Sequence, residues 1–350
     1  MTALKKVYII LINYNGWEDT IECIESILAN KYLNYQIVLC DNNSPNGSLG
    51  HIINWAKSKR LPFIQYPRAA AEAGGAHKRE YEIFSQYPIP HVRYPLIFVQ
   101  TAENLGFAGG NNVCLKYILK KEDFEYVWLL NNDTIIDADA LNALVKYAGN
   151  LKDRKVGIIG SKLLLYDYPN TIQGIGGIYN PFFAIGRHIG YLEIDIGQYD
   201  HQTIKMDFVI GASMFVLKDF LYDVPLMGED YFLYYEELDW HKRGEKFGWG
   251  NGYAYKSKVY HKEGRTIGST IKSVNKSEIG DYYQLRNRII ITRNHFARFL
   301  PIVYLSFILV IANSVRRGQW SRIKLIWRAV MSATGEIMNK RDCLKKQVYY

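Results

Sequence analysis

Three short apolar runs in this chain break off into asparagine and aspartate. VYIILI (7–12) runs into Asn13-Tyr14-Asn15, QIVLC (36–40) into Asp41-Asn42-Asn43-Ser44, and VWLL (127–130) into Asn131-Asn132-Asp133. Continuously apolar strands are strands buried on both faces, as in a parallel sheet covered by helices. Open sheets of that kind hold ligands beyond the carboxyl ends of their strands. The polar endings therefore mark one edge of one sheet as the ligand edge. Between the first two runs, Ile21, Ile24, Ile27 and Leu28 follow helical spacing. The fold class expected is α/β, a doubly wound and mostly parallel sheet.

Further elements can be placed on the same reasoning. LIFVQ (96–100), VGIIGSKLLL (156–165) and KMDFVIGASMFVLK (205–218) read as strands. Residues 113–119 and 137–147 read as helices, and 182–190 as a loop or hairpin over the cleft. Residues 62–95 hold five prolines and an AAAEAGGA segment, and read as an insertion with one short helix at 78–84. The domain division expected is an α/β part at 1–280 and a helical region at 281–350.

Charge separates these two parts. Residues 284–350 carry 13 Lys and Arg against Glu336 and Asp342, or +11. The whole chain is +9, so the remainder sums to 9 − 11 = −2. A basic tail meets nucleic acid or anionic lipid. No RNA- or DNA-binding motif accompanies this one, so nucleic acid is not expected. Its apolar run, Phe299 to Ala312, is shorter than the ~20 residues a spanning helix needs. Arg293, Arg298, Arg316 and Arg317 flank it, and Trp320 and Trp327 follow. That pattern suits a helix on an anionic membrane surface, here through 284–330. The alternative is a buried helix of a helical subdomain. Cys23, Cys40, Cys114 and Cys343 show no CxxC spacing, so neither a zinc site nor a disulfide framework is expected. MTALKK leads into a run that turns polar too soon for a secretory signal.

The chemistry-bearing residues fall into four groups. Asn13, Tyr14 and Asn15 should lie beside Asp41 and Asn43, where a carboxylate can accept from a ribose hydroxyl or a base N–H; each is also a common turn former. Asn104, Gly106, Phe107 and Gly109 belong to a glycine-rich stretch before a helix, where backbone approaches phosphate closely, or where a helix is merely capped. It is neither a dinucleotide fingerprint nor a Walker loop. Asn131, Asn132 and Asp133 offer oxygen ligands suited to Mg²⁺ or Mn²⁺. Glu236, Glu237 and Asp239 crowd three carboxylates among aromatics, where one can be poised as a base. They also suit the first turn of a helix. His261 is either a metal ligand or a loop histidine.

Taken in order, N-Y-N-G, D-N-x-S, N-x-G-F-A-G-G-N-N, L-L-N-N-D-T, V-I-G-A-S-M, Y-Y-E-E-x-D-W and the later histidine resemble inverting family 2 glycosyltransferases. Within them, the bacterial rhamnosyltransferase-like branch that builds surface polysaccharides is the nearest in pattern. The resemblance runs over almost the whole chain, including R-N-R-I-I and the Arg/Trp-rich tail. It implies a GT-A fold with a basic, membrane-associating helical extension. It implies a nucleotide-sugar donor, dTDP- or UDP-linked, held by Asp41, Asn104 and the 106–110 loop. Asn131-x-Asp133 would stand for the DxD metal motif, with Asp133 and His261 as ligands and Asn131 a weaker first position. Glu237 would be the base, where the family usually carries Asp. Gly211 and Ala212, with Trp240, would face the acceptor, a glycan or lipid-linked glycan. The location implied is cytoplasmic, peripheral on the inner face of the cell membrane. Two rivals remain: a non-catalytic nucleotide-sugar-binding scaffold on the same fold, and a nucleotide-sugar dehydrogenase, which the missing dinucleotide fingerprint disfavours.

Overall fold

The computed structural model describes residues 4–86, 93–151, 155–262 and 278–347. The three apolar runs form adjacent strands. β1 (Val7–Asn13) is followed by α1 (Trp17–Leu28), β2 (Tyr35–Asp41) and α2 (Ser48–Ser58). β3 (Phe63–Pro67), α3 (Arg68–Glu72) and α4 (His77–Gln86) come next, then β4 (Leu96–Gln100) and α5 (Gly106–Leu119). β5 (Tyr126–Asn131), β6 (Thr134–Ile136) and α6 (Ala140–Gly149) complete the first half. β1 pairs in parallel with both β2 and β5, matching Asn13 with Asp41 and Ile12 with Asn131. That register sets all three polar endings side by side.

β7 (Val156–Leu165) and β8 (Tyr168–Gly174) lead into a separate hairpin of β9 (Gly177–Asn180) and β10 (Ile185–His188). β11 (Ser213–Leu217), α7 (Lys218–Asp223), α8 (Glu236–Lys246) and β12 (Gly250–His261) follow. The main sheet runs β3-β4-β2-β1-β5-β11-β7-β12-β6, with β8 beside β7. β11 is antiparallel to both neighbours, so the sheet is mixed but mostly parallel. One face packs Ile24 and Ile27 of α1, Ile52 of α2 and Leu144 of α6. The other packs Leu115 of α5, Phe220 of α7 and Trp240 of α8. Cys23, Cys40 and Cys114 are buried free thiols.

Three expectations change here. Residues 62–95 are not an inserted unit: β3 is the edge strand of the main sheet, parallel to β4. Its closing Pro67 is tolerated because an edge strand has an unpaired side. The glycine-rich stretch is not a loop, because α5 already begins at Gly106 and runs through Gly109 and Gly110. A Cβ at Gly110 would stand 3.2 Å from Ile12, so these glycines let α5 lie close on β1. The strand expected over 205–218 is confined to Ser213–Leu217.

The helical region comprises α9 (Glu278–His295), α10 (Leu300–Arg316) and α11 (Trp320–Gln347). With a preceding helical turn, α10 extends the apolar stretch to Ala297–Arg316. Its 20 residues are long and apolar enough to cross a membrane by length and composition. The region is not independent of the sheet. Ile289, Ile290 and Phe307 share a core with Tyr231, Leu238 and the hairpin's Tyr179.

Candidate active site

A cleft of about 1080 Å³ opens at the polar edge of the sheet. Tyr14, Asn104, Gly106 and Phe107 line it from the first half of the chain. Asn131, Asn132 and Asp133 form its floor, with His261, Gly211 and Ala212 beside them. Glu236 and Glu237 line it from α8. Residues as far apart in sequence as Tyr14 and Arg328 are thus brought to one cavity.

Asp133 and His261 meet directly. His261 Nε2 lies 3.1 Å from Asp133 Oδ1, and both residues are buried. On the other side of the ring, Nδ1 donates to Gln173 Oε1 at 2.9 Å. That bond orients the ring with Nε2 toward the carboxylate. A carboxylate oxygen and an imidazole nitrogen at this distance share a proton or close together on a cation. The pair therefore fits a divalent ion. Among the described residues no three His, Cys, Asp or Glu side chains converge as a metal cluster. Such a two-ligand site suits an ion that also takes phosphate oxygens and water. Asn131 stands beside the pair in the cleft, with its amide nitrogen 3.4 Å from His261 Nε2. In that orientation it presents a donor.

β12 delivers His261, and the next residue holds it in place. The Lys262 N–H donates to the Asp133 carbonyl at 3.0 Å. The buried Lys262 ammonium bonds Asp19 at 2.6 Å and Glu22 at 2.5 Å, both on α1. Asn132 is turned the same way, donating its amide to Thr20 Oγ1 at 2.8 Å.

The acidic cluster divides in two. Burial pushes the Glu237 carboxyl up to about 7, against helix N–H groups that lower it. Burial, and then the Glu237 charge, raises Glu236 well beyond the usual carboxylate range. Glu236 Oε2 is a buried oxygen with no hydrogen-bond partner among the described residues. Asp239 does not join them. Its carboxylate takes His295 Nε2 at 2.8 Å, Arg243 Nε at 2.7 Å and the Tyr231 hydroxyl at 3.1 Å. Burial alone would raise it, but His295 and Arg243 outweigh burial and hold it below the ordinary value. Trp240 is also misassigned by the sequence. Its side chain is fully buried, donates to the Pro225 carbonyl at 3.0 Å and packs on Phe220, away from any acceptor.

The segment before α8 is strained and tied down. Phe232, Tyr234 and Tyr235 have φ of 62°, 68° and 71°. Such values cost about 1–3 kcal/mol each and persist only where the surroundings enforce them. Asn287 Nδ2 on α9 enforces them, reaching the Tyr231, Leu233 and Tyr234 carbonyls at 2.8, 2.8 and 3.0 Å. Phe107 N–H donates to the Phe232 carbonyl at 2.7 Å, joining the glycine-rich turn to the same segment. His241 completes the frame. Burial lowers its pKa to about 4, so the ring is neutral. Its Nδ1 donates to the Glu237 carbonyl at 2.6 Å, and its Nε2 accepts from Val209 N–H at 3.1 Å.

Five of the expected donor-site residues lie outside the cleft lining. Asn13 is buried and donates to Asp41 Oδ1 at 2.6 Å. Asp41 also takes the Ser44 hydroxyl at 2.7 Å, and the exposed Asn15 and Asn43 adopt left-handed φ at the rim. Gly109 faces Leu105 inside α5. The buried Asn42 does line the cleft, donating to Asn104 Oδ1 and the Gly106 carbonyl, both at 3.0 Å. Sequence reading passed over it, though it stands between two residues that were singled out. It also missed Gln173, His188 and Tyr282, which carry no motif of their own.

A mostly parallel sheet with this cleft at its carboxyl edge has the GT-A fold. Residues 8–77 match the family described as Glycosyl transferase family 2. The low-salt glycan biosynthesis hexosyltransferase Agl10 of Haloferax volcanii is 21% identical over 248 residues, covering 69% of this chain and 76% of that protein. The structure of GalNAc-T7 with UDP, GalNAc and Mn²⁺ superposes with a TM-score of 0.54 at 14% identity, over 84% of this chain and 48% of that one. The mannosyltransferase PcManGT of Pyrobaculum calidifontis, solved with GDP-Man and Mn²⁺, gives 0.49 at 13% identity over 98% and 81%.

Proposed function

We propose that this protein is an inverting glycosyltransferase that moves a sugar from a nucleoside-diphosphate donor to an acceptor hydroxyl. The observation that carries the reading is the pairing of two chemistries in one cleft. A carboxylate–histidine pair suited to a diphosphate-bound cation shares it with a glutamate whose carboxyl ionises near neutrality. The fold, the family match over 8–77 and the Agl10 similarity support the same class.

In this reading Glu237 takes the proton of the acceptor hydroxyl. That oxygen bonds to the anomeric carbon as the bond from carbon to the diphosphate oxygen breaks on the opposite face. The nucleoside diphosphate leaves and the configuration inverts. Asp133 and His261 would hold Mg²⁺ or Mn²⁺, which supplies charge neutralisation to the diphosphate when bound. Gln173 keeps the His261 ring oriented, and Asn42 and Asn104 shape the donor side. The donor proposed is dTDP-L-rhamnose, with UDP-hexoses and UDP-galactofuranose as alternatives. The acceptor proposed is a lipid-linked glycan at the inner face of the cell membrane.

Calorimetric titration with dTDP and with UDP, each with and without Mn²⁺, tests the reading. One nucleotide should bind in a metal-dependent way, and Asp133→Ala should remove the metal dependence. Binding of neither nucleotide by the unaltered protein would overturn it and favour the silent scaffold.

A further inference from the structure

The exposed side of α10 is apolar. Leu305, Ile308, Leu309, Ala312 and Val315 recur at three- and four-residue spacing, which makes one stripe, and Leu309 is 73% exposed. Only 17% of the most apolar window is buried, and the opposite side packs Val303 and Phe307 against α9 and α11. A helix facing water carries polar residues on that side. α11 extends the surface with exposed Trp320, Trp327 and Met331, interleaved with Lys324 and Arg328.

A second, distant part of the chain reaches the other end of α10. At the tip of the β9–β10 hairpin, Phe182 and Phe183 are exposed and stack edge to face at 4.9 Å. The Phe182 ring lies 5.9 Å from Phe299, at the start of α10. Arg288 of α9 donates to the Phe183 carbonyl at 2.9 Å, which fixes the tip against the helices. Exposed aromatics therefore stand at both ends of the apolar stripe. Around it, Arg298, Arg316, Arg317, Lys324 and Arg328 have no carboxylate partner among the described residues.

We propose that the hairpin tip and the exposed stripes of α10 and α11 form one surface that docks on an anionic lipid bilayer. Apolar and aromatic side chains enter the headgroup boundary, and the cations meet lipid phosphates. A second copy of the chain would bring identical cations against these, so charge favours lipid over self-association. α10 lies in the plane of the interface. Its other side packs Val303 and Phe307 into the core that α9 and α11 share with Leu238 and Tyr179, so it cannot enter the bilayer without leaving that core. The cleft is lined by Leu325 and Arg328 of α11 and Tyr282 of α9, so its mouth adjoins the docked face. Resting on the transferase reading, this means that a lipid-linked acceptor would enter from the bilayer side.

Co-sedimentation with vesicles of phosphatidylcholine, with and without phosphatidylglycerol, tests the proposal on the full chain. Phosphatidylglycerol should tighten binding about tenfold or more, and high salt should weaken it. Phe182→Ser with Phe183→Ser should weaken it about tenfold, and Arg316→Glu with Arg317→Glu should abolish the lipid preference. Nucleotide binding should be unchanged in both variants. Undiminished vesicle binding by the phenylalanine variant would overturn the two-part surface. So would a dimer in light scattering that Leu309→Gln dissolves, which would assign the stripe to a second copy. No donor is needed for vesicle binding, and a water-soluble acceptor needs no vesicle. Failure of docking and failure of the transferase reading are therefore seen separately.

Discussion

Glu237→Gln should lower the rate of sugar transfer about 10²–10⁴-fold, the usual contribution of a positioned general base. Nucleotide affinity should stay within about twofold, because removing a base acts on the reaction rather than on donor binding. The amide keeps the size of the carboxyl but cannot take the acceptor proton. The pH profile gives a second handle. Burial raises Glu237 to about 7, so its carboxylate is present above that value and lost below it. Transfer by the unaltered protein should fall as pH drops through about 7, and the residual activity of the variant should lack that limb. Glu236 is raised as well, by burial and then by the Glu237 charge. Near-normal turnover in Glu237→Gln would remove the base from this residue.

Trp240→Ala should destabilise the fold by about 3–5 kcal/mol, the usual cost of emptying a large buried site. Total stabilities run to about 5–15 kcal/mol, so the loss would show as a large fall in urea midpoint. Trp240 fills the core between α8 and Phe220, and its indole N–H is satisfied by Pro225. A residue that only touched the acceptor would behave otherwise, raising KM while leaving the midpoint in place. The two outcomes separate the structural role from the one first suggested by the sequence.

The sequence made the centre of the sheet legible and left its margins obscure. β1, β2 and β5 are buried on both faces, so burial wrote them as unbroken apolar runs. β12 was unreadable because GNGYAYKSKVYH mixes glycine, lysine and tyrosine across a register shift between Ala254 and Lys258. β3 was hidden by its five-residue length and its terminal proline. In the cleft, Asp133 and His261 were foreseen, and the structure places them in contact. Gln173 was not, because a second partner of a histidine has no fixed spacing from it. Within the acidic cluster the three carboxylates look alike in sequence. What divides them is their partners: Asp239 has Arg243 one turn on and His295, 56 residues away on α9.

The three carbonyls gathered by Asn287 have a practical bearing on how this chain can be handled. A protein shortened to residue 280, the boundary that composition suggests, would keep every strand of the sheet and both groups of the Asp133–His261 pair. It would lose the Asn287 amide that gathers the Tyr231, Leu233 and Tyr234 carbonyls around the left-handed Phe232, Tyr234 and Tyr235, and with it His295, one of the three partners of Asp239. Trimming the greasy helices to gain solubility would therefore uncover Tyr179, Tyr231 and Leu238 and release the segment that carries the two glutamates of α8.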